Sequence, residues 1–275
     1  MDSSIKDKIN FYKNFKVWYF QIREDFRFNN KEEHDARDYL SQLFSKKGEQ
    51  WNLEEILISF KEIIQLKEKL LVYGCGPSLE NTIDLILEKK ELNFFKKFIN
   101  LTADGASVLL KEKGIPIDAI FTDLDGITKN EFNYASFVII HAHGDNIKKL
   151  KYFKDEILKS RNTIGTTQIE PVGRLINPGG FTDGDRILFF LQNIVLPLQE
   201  IFLIGMDFGN VIGKYSKLNM KSNKEADPIK LKKLEYAFKL IKWLKDKIKN
   251  KIYFVNSNFI FEDYINLSIE DFLDF

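Results

Sequence analysis

The sequence predicts an α/β protein: a doubly wound, mostly parallel sheet preceded by a helical N-terminal region. Three observations lead there. Beyond residue 68, short apolar runs alternate with amphipathic stretches. The runs are continuously apolar, as strands covered on both faces require. Most end in glycine or aspartate, residues that turn a strand into the start of a helix. Alternating β and α of this kind folds as a parallel sheet with helices on both sides.

The first 68 residues read as helical. Phe11, Phe15, Trp18, Tyr19 and Ile22 recur at three- and four-residue steps, as one helix face requires. A polar-rich segment follows from Lys31 to Phe44. A third, Leu53 to Leu66, sets Leu53, Ile56, Leu57, Phe60, Ile63 and Ile64 on one side. The expected strands are then Leu70–Tyr73, Phe98–Thr102, Ala119–Thr122, Phe137–His141, Ile201–Ile204 and Ile252–Val255. The expected helices are Ser78–Lys90, Ala106–Lys113, Asn146–Leu158, Asp183–Val195 and Pro228–Lys249. This divides the chain into a helical region over 1–68 and an α/β domain over 69–275. No Pro/Gly linker marks the boundary, so the helices are expected to cap the sheet.

Composition narrows the function. A chain of 275 residues builds a core without help from disulfides or metals. Basic residues number 41 and acidic residues 40, a formal net charge of +1. Binders that neutralise phosphates carry a clear basic excess, so no nucleic-acid partner is expected. Cys75 is the single cysteine, which excludes an intrachain disulfide and a cysteine zinc cluster. No apolar run approaches the ~20 residues that span a bilayer, and the N-terminus lacks a signal-peptide core. The expectation is a cytoplasmic protein with no membrane partner. Whether it forms a homo-oligomer stays open.

The chemistry is expected at one edge of the sheet. Five apolar runs lead directly into polar clusters. They are Gly74-Cys75-Gly76-Pro77-Ser78, Asp104-Gly105-Ala106, Asp123-Leu124-Asp125-Gly126, His141-Ala142-His143-Gly144-Asp145 and Gly205-Met206-Asp207-Phe208-Gly209. In a parallel sheet these converge at the carboxyl ends of the strands, where ligands bind. One aspartate there is as readily a helix cap or turn residue; five clusters together are harder to explain as caps.

Gly74, Gly76, Pro77 and Ser78 lie between a strand and a helix. Glycines let backbone N–H groups approach an anion, and the helix start favours negative charge. Leu79 stands where a dinucleotide fingerprint needs its third glycine, and no Gly-Lys-Ser/Thr follows. A tight turn without ligand is the plain alternative. Asp123 and Asp125 fall on one side if their segment stays extended. Paired carboxylates repel unless a cation lies between them or one is protonated, and Mg²⁺ with phosphate oxygens is the usual resolution. Asp104 adds a third acid from another strand end.

His141 and His143 share one strand face but have no third soft ligand nearby. With Asp145 they are expected to hold phosphate or a polar substrate rather than a transition metal. The run from Gly179 to Arg186 precedes an apolar helix and has two readings. It is either a fixed capping turn, or a glycine-hinged segment that closes over ligands with Phe181 on a planar ring and Arg186 on a phosphate.

Asp104-Gly105-Ala106, Gly114-Ile115-Pro116-Ile117-Asp118 and Thr122-Asp123-Leu124-Asp125-Gly126 resemble the signature segments of thiamine pyrophosphokinases. Gly126 replaces that family's Ser, and Ile117 separates Pro116 from Asp118. The wider set resembles the archaeal 6-hydroxymethyl-7,8-dihydropterin pyrophosphokinases (the MptE-like group) over nearly the whole chain. That set is Gly74 to Glu80, Thr122 to Gly126, His141 to Asn146, Gly179 to Arg186 and Gly205 to Gly209. Trp18, Asp25-Phe26 and His34-Asp35 resemble that family's helical lead.

The resemblance implies a sheet like the thiamine pyrophosphokinase catalytic domain. It also implies a 2-amino-4-hydroxy-6-hydroxymethyldihydropteridine diphosphokinase. Such an enzyme transfers diphosphate from ATP to the hydroxymethyl group of 6-hydroxymethyl-7,8-dihydropterin with Mg²⁺ and releases AMP, in methanopterin or folate-type cofactor synthesis. Asp104, Asp123 and Asp125 would hold Mg²⁺ and, with Arg186, serve catalysis. Gly74, Gly76, Pro77, Ser78, His141, His143, Asp145, Gly179, Gly180, Thr182 and Lys214 would bind the nucleotide. Phe181, Asp183, Asp185 and Asp207 are unranked candidates for the pterin. A glycosyltransferase or another pyrophosphoryl transferase of the same domain family is the alternative. A nucleotide-binding module without catalysis is a third reading, against which three separated acids argue.

Overall fold

A computed structural model describes residues 4–275. Four helices open the chain: α1 (Ile5–Ile9), α2 (Tyr12–Phe26), α3 (Asn30–Ser45) and α4 (Leu53–Ile64). Asn29 and Asn52 cap α3 and α4, their side chains accepting first-turn N–H groups. The α/β part follows as β1 (Lys69–Tyr73), α5 (Leu79–Lys89), β2 (Ile99–Ala103), α6 (Ala106–Glu112), β3 (Ala119–Thr122), α7 (Lys129–Tyr134) and β4 (Phe137–Ala142). Then come α8 (Ile147–Tyr152), α9 (Lys154–Lys159), β5 (Thr163–Thr167), β6 (Leu175–Ile176), α10 (Asp183–Leu191) and β7 (Glu200–Ile204). The chain closes with β8 (Val211–Ile212), β9 (Lys224–Glu225), α11 (Pro228–Leu244), β10 (Ile252–Val255), β11 (Ile265–Leu267) and α12 (Ile269–Leu273).

Nine strands form one sheet in the order β11-β10-β7-β1-β2-β3-β4-β5-β6, and every pairing is parallel. From β1 the chain winds outward to β6, then returns to β7 on the other side of β1. The winding direction therefore reverses at β1, and the crevice beyond the carboxyl ends of β1 and β7 is the position such a sheet offers a ligand. A two-stranded antiparallel ribbon, β8 with β9, stands apart from this sheet.

All six expected strands form, within a residue of their expected bounds. Three strands of the main sheet carry a weaker sequence signal. β5 is Thr163–Thr167, rich in threonine rather than aliphatic residues; β-branching suits it to a strand, and the fold buries it fully. β6 and β11 are short strands at the sheet edges. The expected helix Asn146–Leu158 is broken in two at Phe153, whose ring is buried and stacked on Phe132 at 5.7 Å. The helices expected to reach Val195 and Lys249 stop earlier, at Leu191 and Leu244.

The N-terminal helices lie on the sheet through aromatic contacts. Phe60 of α4 meets Phe137, Phe190 and Phe121 at 5.2, 5.3 and 6.3 Å. Phe15 of α2 meets Phe189 of α10 edge-on at 5.3 Å. The buried apolar residues form one continuous cluster that runs from Ile9 to Leu273. No helix among the described residues is long and apolar enough to cross a membrane.

Candidate active site

Asp104, Asp123 and Asp125 converge, with one carboxylate oxygen from each lying within 4.8 Å of the others. The route to this geometry differs from the extended segment expected. β3 ends at Thr122, and Leu124 takes a left-handed conformation at φ 72°. The acids are therefore brought together by a turn. Leu124 N–H donates to Thr122 Oγ1 at 2.7 Å, and Asp125 N–H to Asp123 Oδ1 at 3.1 Å. Asn146 Nδ2 ties the turn down by donating to the Asp123 and His141 carbonyls at 2.9 and 2.6 Å. Asp104 ends β2 with φ 38° and accepts the Thr122 hydroxyl at 2.6 Å. A side chain at Gly126 would strike the Asp104 carboxylate, which accounts for glycine where the thiamine pyrophosphokinase pattern has serine.

Burial, then the charges of Asp123 and Asp183, raise the Asp104 carboxyl well above its ordinary value. Burial and Asp123 likewise raise Asp125. Asp123 goes the other way. Burial opposes its ionisation, but the His143 ring at 3.1 Å outweighs burial and holds it below the usual value. Reciprocally, Asp123 raises His143 against the effect of burial. All three cluster ligands are hard oxygen donors, which suits a small divalent cation and not a soft metal.

Beside the acids lies a cavity of about 460 Å³. Its walls are the loops after β1, β2, β3 and β7, the start of α10, the β8–β9 ribbon and the first turns of α11. Gly74, Gly76, Thr182, Asp183, Asp145 and Asp207 face it as expected. Gly74 and Gly76 are glycines because a Cβ would press into the Gly205 carbonyl at 2.6 Å. Asp183 has its carboxyl raised by burial and by Asp123. Cys75 lines the cavity, but burial, then Asp104, raise its thiol far above the ordinary value, so it is no nucleophile.

Several expected residues are engaged elsewhere. Asp207 Oδ2 accepts Ser78 N–H and Oγ at 2.9 and 2.6 Å, and its Oδ1 accepts Ser257 Oγ and Asn258 N–H at 2.8 and 3.0 Å. Oδ2 thus holds the loop that carries Pro77 and Ser78, and Oδ1 ties it to the loop after β10. Asp185 Oδ1 accepts the Phe181 and Thr182 N–H groups at 2.7 and 3.0 Å. Arg186 is 1 % exposed and donates to the Gly179 and Phe181 carbonyls at 3.2 and 3.1 Å. Gly179 and Gly180 sit at φ 89° and 84°, where only glycine is unstrained. Phe181 is buried against Phe26, Phe28 and Tyr236. Gly179 to Arg186 forms a turn that leads into α10, with Asp185 Oδ1 and the two terminal nitrogens of Arg186 bonded to the loop's own backbone. Lys214 is paired with Glu80 at 2.5 Å. His141 is buried, with Nδ1 on Thr166 Oγ1 at 3.0 Å; burial, then Arg186 and His143, hold its ring well below the ordinary value.

The cations that do face the cavity are Lys217, Lys230 and Lys233. Lys233 helps hold Asp123 ionised, and Lys230 acts on Asp183 in the same sense. The spacing of Lys230 and Lys233 on one helix face was a usable signal, hidden in the many lysines of α11. Met206, Phe208, Ile212 and Leu234 supply an apolar wall.

Fold and site together define an α/β protein with an oxygen-only acidic cluster beside a glycine-lined cavity at its sheet's switch point. The chain belongs to the family described as 6-hydroxymethylpterin diphosphokinase MptE-like, whose model matches residues 45–213. A 6-hydroxymethyl-7,8-dihydropterin pyrophosphokinase from Methanocaldococcus jannaschii is 37% identical over 247 residues, covering 86% of this chain and 97% of the relative. Proteins of the same name from Methanothermobacter thermautotrophicus and Pyrococcus furiosus are 36% and 33% identical, covering 82% and 86% of this chain and 92% and 96% of their own. Among solved structures, a MAf glycosyltransferase from Magnetospirillum magneticum AMB-1 aligns with a TM-score of 0.46 at 13% identity, over 81% of this chain and 39% of that one.

Proposed function

We propose that this protein transfers diphosphate from ATP to the hydroxymethyl group of 6-hydroxymethyl-7,8-dihydropterin and releases AMP, with Mg²⁺ held by Asp104, Asp123 and Asp125. The observation that carries the reading is the convergence of those three carboxylates on the cavity. The names of the relatives supply the substrate. Mg²⁺ there would neutralise charge on the transferring phosphates. The rest of the work is positioning, since phosphoryl transfer asks the protein for orientation and electrostatic stabilisation rather than covalent chemistry.

The chain's own residues divide that work. Lys217, Lys230 and Lys233 attract the phosphates from the wall of α11 and the ribbon. Gly74 to Ser78, held by Asp207, presents backbone and the start of α5 to the nucleotide. Met206, Phe208, Ile212 and Leu234 accept the base. His143 keeps Asp123 ionised and oriented. Arg186 and Asp185 set the loop that places Thr182 and Asp183. The decisive assay combines protein, ATP, Mg²⁺ and the hydroxymethyl-dihydropterin. AMP is expected, one for each pterin consumed; ADP would mean single-phosphoryl transfer, and no turnover would overturn the reading.

A further inference from the structure

On the far side of the acids from the cavity, buried polar atoms lack partners. Tyr19 Oη, Glu33 Oε2, His141 Nε2, Gln168 Oε1 and Arg186 Nε make no hydrogen bond within the protein. All five residues are at least nine-tenths buried. They come from α2, α3, β4, the residue after β5 and α10. Glu33 and Arg186 both act on the Tyr19 hydroxyl, and Arg186 acts on His141. Glu33 is fixed at this edge because its other oxygen accepts Gly144 N–H at 3.0 Å. One unpartnered buried polar group is costly, and several from separate elements call for a ligand or ordered water.

Their position selects the ligand. The sheet order places the cavity loops on β7 and β1, the acids on β2 and β3, and these atoms on β4 and β5. Displacement at phosphorus needs the attacking and leaving oxygens roughly in line. With the nucleotide on the β1–β7 flank, the attacking hydroxyl must come from the β4–β5 flank. His143 joins the two regions, bonded to Asp123 and stacked on His141 with ring centroids 5.8 Å apart. The atoms also match an amino-oxo-pteridine. Its N2/N3 edge donates twice and suits a carboxylate, and its carbonyl suits a guanidinium N–H.

We propose that the acceptor heterocycle binds at this β4–β5 edge beneath α2 and α3, with Glu33 on its donor edge and Tyr19, Gln168, His141 and Arg186 around it. The inference rests on the pterin reading above and adds where the ring sits. These atoms are closed from solvent, so binding the ring requires α2 and α3 to move off the edge.

The test uses the full-length protein and three variants, Tyr19→Phe, Glu33→Gln and Gln168→Met. Each is assayed for KM toward ATP and toward the pterin, and for binding of fluorescent 6-hydroxymethylpterin without nucleotide. The expected result is a rise of about 10- to 100-fold in pterin KM and Kd for Glu33→Gln, as for one lost charged hydrogen bond, with the KM for ATP held within about twofold. Tyr19→Phe keeps the ring and removes only the hydroxyl set against Glu33, so the fold should hold while pterin affinity falls. Wild-type pterin parameters in all three variants would overturn the site and leave these atoms to buried water. Failure of the unaltered protein to bind or convert pterin would instead overturn the functional reading, and the inference with it.

Discussion

Asp104→Asn should stabilise the metal-free protein and abolish its response to Mg²⁺. The cluster places carboxylate oxygens within 4.8 Å of one another. At an effective dielectric of about 20, two unit charges at that distance repel by about 3.5 kcal/mol. The folded protein avoids this by holding the Asp104 proton, since burial and then Asp123 raise its carboxyl well above 3.8. The unfolded chain ionises near that ordinary value. As pH rises from about 4, the folded state keeps a proton that the unfolded state has lost, so stability falls until the folded pKa is passed.

An amide at this position still accepts the Thr122 hydroxyl and carries no charge. Allowing for solvent and partial protonation, about 2 kcal/mol is regained at pH 8, or about 4–8 °C in Tm. In the unaltered protein, Mg²⁺ on the ionised cluster would offset the same repulsion, so its stabilising effect should grow from pH 5 to pH 8. Differential scanning calorimetry at both pH values, with and without Mg²⁺, reads all of this. A variant that melts below the parent at pH 8 without Mg²⁺, or that keeps the parent's Mg²⁺ shift, refutes the assignment.

Asp123→Asn should lower kcat about 10²- to 10³-fold, the scale for losing one electrostatic contact to a transferring group. It should also drop the His143 pKa, which NMR titration of the ring would follow, because Asp123 is the chief group raising it. Lys230→Gln and Lys233→Gln should each raise the KM for ATP about tenfold, whereas Lys214→Gln should change it little, because Lys214 already serves Glu80; equal effects at all three would contradict the cavity's wall. Gly180→Ala should destabilise the protein by about 1–3 kcal/mol in urea denaturation, since φ is 84° and the new Cβ would stand 2.7 Å from Arg186 Cα. An unchanged midpoint would show that the loop yields.

Much of this molecule is local and is written along the chain. Continuous apolar runs determine the central strands, because burial on both faces leaves no position for a polar side chain. Covalent order then puts Asp104, Asp123, His143 and Asp207 just past strand ends, and a parallel sheet brings strand ends to one edge. The acidic cluster was therefore legible. The partners of each charged residue were not, because a side chain's partner is set by distance in space. Asp207 is used up by Ser78, 129 residues away. Arg186 turns back on its own loop, and Lys214 meets Glu80 across 134 residues. Only the packed fold decides that Lys230 and Lys233 face the cavity instead, and that the Tyr19 hydroxyl and one Glu33 oxygen of a helical lead are buried without a hydrogen bond.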